Sequence, residues 1–252
     1  MKPAAPLPTV LLHGFLGQPA DWAPVQAALG PALHIRVPLL PGHGVVAPPD
    51  EDAFIAAQAA LGPCRLVGYS LGGRIALRWA LEYPQQVRSL ALVSASPGLE
   101  DESARAERRA RDAAWAALLR AGDREAFLHA WYGQPVFAAL RAKKFLLADV
   151  MRRRARSPLA DLAAVVERMS PGRIPSLWSR LGELTMPVLQ VAGADDPAYG
   201  EIAGRAARLS PRGSARSIPG SGHAVPEEQP AALAAVLQEW WQGLARETET
   251  HA

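Results

Sequence analysis

Arg65-Leu66-Val67-Gly68-Tyr69-Ser70-Leu71-Gly72-Gly73-Arg74 is the passage on which the fold of this chain turns. A short apolar run leads into Gly-x-Ser-x-Gly, and a helical pattern follows from Leu71 to Tyr83 and stops at Pro84. A strand that bends sharply into a helix holds Ser70 in a strained backbone conformation with its hydroxyl projecting, and the flanking glycines let the chain approach itself closely. The helix N-terminus sets partial positive charge beneath any anion that forms there. Ser70 is therefore the candidate nucleophile or base.

Outward from that turn, apolar runs alternate with helical patterns, which predicts a mostly parallel sheet with helices on both faces, an α/β fold. The runs are Thr9–Leu12, His34–Pro38, Arg65–Tyr69, Ser89–Ser94, Pro187–Ala192 and Ala215–Ile218. Helices are expected over Trp22–Leu29 with Asp21 as cap, over Asp52–Leu61, and from Pro230 onward. On the last helix Leu233, Val236, Leu237, Trp240 and Trp241 form one apolar stripe. Between Ser94 and Met186 no strand is expected; the pattern reads as helices over Ser103–Leu119, Arg124–Tyr132, Pro135–Leu147 and Leu159–Met169. So long a stretch is no loop. It is expected to be a helical cap over residues 97–182, inserted in a core made of 1–96 and 183–252. Residues 247–252 read as a frayed polar end that includes His251.

A serine hydroxyl needs a base, and the base needs a partner that fixes its tautomer. His223, in Gly220-Ser221-Gly222-His223, follows the last expected strand, and Asp195-Asp196 follows the strand that ends at Ala192. Asp196 is the preferred partner, with Asp195 left open. The backbone N–H groups of Phe15, after the first strand in His13-Gly14-Phe15, and of Leu71 are placed to form an oxyanion hole; losing one such donor typically costs about 3 kcal/mol in the transition state. His13 and His43 read as structural. No metal or other cofactor is expected, because none of the 6 histidines has metal-ligand spacing with Cys or carboxylates.

With 252 residues and 49% hydrophobic content the chain can bury a core without disulfide or metal, and its 1 cysteine, Cys64, reads as a buried inert thiol. No apolar run reaches the ~18 residues of a membrane span and the first residues carry no leader pattern, so a cytoplasmic protein is expected. The net charge of +3 hides an asymmetry: residues 101–182 hold 16 Lys and Arg against 9 Asp and Glu. Arg78 and Arg152–Arg154 are expected on solvated faces.

The elbow, the His-Gly-Phe turn, Pro41-Gly42-His43-Gly44 and the Ser-Asp-His order resemble the α/β-hydrolase superfamily over nearly the whole chain. Less generic strings resemble one family within it, the 2-succinyl-6-hydroxy-2,4-cyclohexadiene-1-carboxylate synthases of menaquinone biosynthesis. These are Val67 to Arg74, Ser96-Pro97-Gly98-Leu99, Ala106-Glu107-Arg108 with Arg111-Asp112, and Trp131 to Phe137. The resemblance implies a lyase that eliminates pyruvate, with Ser70, His223 and Asp196 acting as base. It implies that Arg74 and Arg108 bind carboxylates and that Tyr69 and Trp131 line the pocket. An anionic small molecule suits this basic cap, since guanidinium forks match carboxylates. The rival readings are a carboxylic-ester hydrolase with Ser70 as covalent nucleophile and a binding protein without turnover. Nucleic acid is not expected, because the basic residues form no stripe interleaved with aromatics. The sequence leaves the oligomeric state open.

Overall fold

Among the described residues six strands form one sheet in the order β2-β1-β3-β4-β5-β6, all of them parallel. The computed structural model describes residues 7–44, 50–155 and 159–250. The strands are β1 (Thr9–Leu12), β2 (Ile35–Arg36), β3 (Cys64–Tyr69), β4 (Val87–Val93), β5 (Val188–Gly193) and β6 (Gly213–Ile218). All of β1 and β5 is buried, as strands covered on both faces must be. Side chains alternate between two cores. Val10, Leu12, Leu66, Leu90 and Val188 pack against Ile75 and Trp79. Leu11, Val67, Ala91 and Val191 pack against Val25, Leu233, Leu237 and Trp241. Burying each such side chain contributes about 1.5–3 kcal/mol.

The first core is covered by α2 (Glu51–Ala59) and α3 (Leu71–Glu82), the second by α1 (Ala23–Leu29) and the last helix. Between β4 and β5 lie α4 (Glu102–Ala121), α5 (Arg124–Tyr132), α6 (Ala138–Ala142), α7 (Lys144–Arg154) and α8 (Leu159–Arg168). They share an apolar cluster of their own, including Leu119, Phe127, Leu140, Val150 and Leu162, which also takes in Leu16 and Ala224 from the loops at the sheet edge. After β5 come α9 (Pro197–Leu209), β6, the single turn α10 (Val225–Glu228) and α11 (Pro230–Thr250). Sheet order reverses between β1 and β3, and the carboxyl ends of those strands are where open α/β sheets form ligand crevices.

Four expectations need correction. Asp21 does not cap α1: Trp22 holds that position, and Asp21 accepts the Gln18 N–H at 2.6 Å and pairs with Arg153 and Arg154. The single helix expected over Pro135–Leu147 is broken at Lys143, whose φ of −96° and ψ of 68° separate α6 from α7; its ammonium is drawn to Gly220 O and Glu228. Arg153 and Arg154 do not lie on a solvated face, because Asp21 and Glu227 draw them inward; Arg152 is exposed. Residues 247–250 are not frayed but continue α11, with an Arg212–Glu247 ion pair of 3.6 Å beside them; His251 lies outside the described residues. Among the described residues no helix is long and apolar enough to cross a membrane.

Candidate active site

Ser70 joins β3 to α3 with φ +51° and ψ −111°, a conformation that costs of order 1–3 kcal/mol and persists only where its surroundings fix it. Those surroundings are close-packed backbone. The Ser70 N–H donates to Val93 O at 2.9 Å. A Cβ on Gly72 would lie 2.4 Å from Leu12 O and His13 O, and one on Gly68 2.4 Å from Gly72 O. Only glycine lets α3 start this tightly against β1.

His223 arrives from the loop after β6, with Nε2 3.1 Å from Ser70 Oγ and Nδ1 3.3 Å from Asp196 Oδ2. A proton on Nδ1 shared with Asp196 leaves Nε2 free to accept the serine proton. Asp196 is buried and caps α9, its Oδ1 accepting the Tyr199 N–H at 3.2 Å. Asp195, left open by the sequence, is exposed and meets the base loop through its backbone N–H, 2.9 Å from Ser221 O. Gly193 lets that loop lie on the end of β5: a Cβ there would sit 2.2 Å from Ser221 O and Gly222 O.

Phe15 and Leu71 both flank Ser70 in the cavity wall. Among the described hydrogen bonds neither of their N–H groups has a protein acceptor, which leaves both open to an oxyanion. His13 and His43 shape the loops beneath. His13 Nδ1–H donates to Gly14 O at 2.9 Å and Nε2 accepts the Leu40 N–H at 3.1 Å, while His43 Nδ1–H donates to Pro41 O at 3.0 Å. Burial, aided by His43, holds His13 well below the usual imidazole range, and burial brings His43 down to about 4. Burial likewise pushes the Cys64 thiol up to about 11.

Toward the helices between β4 and β5, Arg74 Nη1 donates to Met169 O at 2.9 Å, and burial together with the charge of Arg108 lowers its guanidinium to about 10. It stays cationic at neutral pH. Arg108 Nε meets both oxygens of the buried Asp112 at 2.9 Å. Two guanidiniums that repel each other beside Ser70 form a site suited to an anion. Trp131 stands over Phe15 with ring centroids 4.8 Å apart, and the Tyr69 ring lies 5.8 Å from His223. Phe15, Tyr69, Ser70, Leu71, Arg74, Arg108, Trp131 and His223 thus line adjoining pockets that meet at Ser70, and Asp196 lies behind His223.

Three further residues line pockets that reach Ser70. Tyr199 lies 4.5 Å from the His223 ring and lines a recess with Ser94, Arg74 and Arg108. Its place three residues after Asp196, on one helical face, was a usable signal. Ser94, with φ +46°, has a buried hydroxyl with no hydrogen-bond partner among the described residues. Arg154 reaches the opposite wall beside Tyr132 and His223; nothing local announces it, because Asp21 and Glu227 are distant in sequence. Among the described residues no group of three or more His, Cys, Asp or Glu is arranged to hold a metal ion. A groove between β6 and α11, walled by Arg212, Arg216 and Trp240, holds no serine–histidine pair.

The Alpha/beta hydrolase family model matches residues 9–236. The 2-succinyl-6-hydroxy-2,4-cyclohexadiene-1-carboxylate synthase of Enterobacter sp. (strain 638) is 36% identical over 247 residues, covering 94% of this chain and 92% of that one. The enzyme of the same name from Escherichia coli O1:K1 / APEC is 32% identical over 247 residues, covering 94% of both. The solved structure of MenH from S. aureus superposes with a TM-score of 0.89 at 26% identity, covering 96% of each chain.

Proposed function

The chain belongs to the alpha/beta hydrolase family and, within it, to the 2-succinyl-6-hydroxy-2,4-cyclohexadiene-1-carboxylate synthases, and from that premise we propose its reaction. It is an enzyme of the carbon–oxygen lyase type. Its substrate is 2-succinyl-5-enolpyruvyl-6-hydroxy-3-cyclohexene-1-carboxylate, and it removes pyruvate in menaquinone biosynthesis. Going from cyclohexene to cyclohexadiene breaks one C–H and one C–O bond and adds no water.

Ser70 passes its proton to His223 and takes the proton from the ring carbon that bears the succinyl group. The electron pair rests as an enolate on the succinyl ketone oxygen, where the N–H groups of Phe15 and Leu71 stabilise it. It then moves through the ring double bond and expels the enolpyruvyl oxygen; the released enolate becomes pyruvate by gaining a proton at carbon, which balances the proton the Ser70–His223 pair took from the ring. Asp196 keeps His223 in the tautomer that accepts at Nε2. Arg74 and Arg108 bind substrate carboxylates, and Tyr69 and Trp131 form the walls around the ring.

The observation that carries this reading is the 3.1 Å Ser70–His223 contact, with Ser70 also opening onto a pocket lined by Arg74 and Arg108. Pyruvate release from the cyclohexene substrate tests it. Ser70→Ala is expected to lose about three orders of magnitude or more in kcat, and Arg108→Ala to raise KM with a smaller effect on kcat. An acyl-enzyme on Ser70 seen by intact mass spectrometry with this substrate, or aryl-ester turnover without pyruvate release, would establish the ester hydrolase instead.

A further inference from the structure

His223 sits in a stretch outside helix and strand, between the end of β6 and α10, yet its ring must be held within a fraction of an ångström of Ser70 for proton transfer. Asp196 meets the ring, and a second carboxylate meets the backbone on either side of it. Glu228, on α10, has a side chain with 0% exposure. Both of its oxygens accept the Gly222 N–H at 3.2 Å, and Oε1 also accepts the Ala224 N–H at 3.1 Å. These are the residues on either side of His223. The same carboxylate meets one cation, Lys143 Nζ at 2.9 Å, and that ammonium donates as well to Gly220 O at 2.7 Å. Lys143 belongs to the break between α6 and α7, in the cap. The cap also presses on the base loop directly, since a Cβ on Gly222 would lie 2.6 Å from Ala139 Cβ.

We propose that Glu228 is a positioning residue for His223, and that Lys143 makes the position of the base depend on how the cap is seated. The carboxylate grips the backbone before and after the imidazole, which fixes where Nε2 points. The ammonium fixes the carboxylate and the Gly220 carbonyl together, so a shift of α6 and α7 is passed to the base loop through two charged contacts. A buried carboxylate that loses its cationic partner is strongly unfavourable, so the two residues are coupled. The inference rests on Ser70 and His223 working as a pair, and not on the identity of the substrate.

The test uses the full-length enzyme and two rates. One is kcat for pyruvate release. The other is phosphonylation of Ser70 by a fluorophosphonate, in which Oγ forms the bond to phosphorus, fluoride leaves and the serine proton goes to His223. Glu228→Gln, which keeps the shape but loses the charge, is expected to slow both by about 10- to 100-fold with KM little changed. Lys143→Met is expected to slow both in the same direction. The double variant, which leaves no uncompensated charge, is expected to match Glu228→Gln rather than multiply the two effects. Wild-type rates in a cooperatively folded Glu228→Gln protein would overturn the positioning role, and multiplicative effects in the double variant would overturn the coupling to the cap. A wild-type enzyme that reacts with the phosphonate but releases no pyruvate would refute the proposed reaction and leave this inference standing.

Discussion

Ser70 is held at a φ of +51° by atoms that have no freedom to move aside. The hydroxyl faces His223 because the peptide is locked between β3 and β4 while α3 starts against β1. Glycine at position 72 is what permits this, and Gly72→Ala tests it. The added Cβ would meet two backbone carbonyl oxygens at 2.4 Å, which no rotamer change relieves. We expect a loss of about 2–4 kcal/mol in unfolding free energy from denaturant titration, together with loss of pyruvate release. Gly182→Ala, where a Cβ meets nothing within 4 Å, is expected to stay within about 0.5 kcal/mol of wild type. The elbow was legible at this scale because it is local: strand, serine, glycines and helix lie within ten residues. The sequence preferred Asp196 but left Asp195 open, because adjacent residues share most local signals; in the fold it is the Asp196 carboxylate that meets His223.

At the scale of elements, α7 shows how far a charge pattern misleads. Arg152, Arg153 and Arg154 read as one solvated cluster, yet the Arg154 side chain is 6% exposed and the Arg152 side chain 74%. Arg153 and Arg154 both pair with Asp21, in the turn before α1, and with Glu227, on α10. They tie α7 to the turn before α1 and to α10, next to the loops that carry Phe15 and His223. Removing one partner of a buried ion network leaves uncompensated charge, so Arg154→Met is expected to cost about 3 kcal/mol, whereas Arg152→Met is expected to cost under about 0.5 kcal/mol. Equal denaturation midpoints for the two variants would contradict this account. The break at Lys143 has the same origin: no glycine or proline marks it, and the ammonium is drawn out of the helical path by Glu228, 85 residues away.

For the whole molecule, stability should depend on pH through histidines that the fold keeps neutral. His43 is 1% exposed and lowered by burial to about 4, below its unfolded value of about 6.5. Between those values the unfolded chain binds a proton that the folded chain refuses, so stability falls as pH drops from 6.5 toward 4 and is unaffected by this group above 6.5. The loss from His43 is about 3 kcal/mol, and His13 acts in the same direction. Denaturant titrations across this window should give a shallower slope for His43→Asn; an unchanged slope would show that His43 does not contribute. Sequence alone determined the class of fold, the succession of strands and helices along the chain, the elbow and the Ser-Asp-His succession, because periodicity, glycine spacing and turn chemistry act over a few residues. Tertiary structure alone decided that Asp195 stays clear of His223, which arginines are buried, where the helix after Pro135 breaks and what grips the loop around His223. Each of those depends on partners brought together across the chain, and burial converts their charges from indifferent surface groups into contacts that fix position.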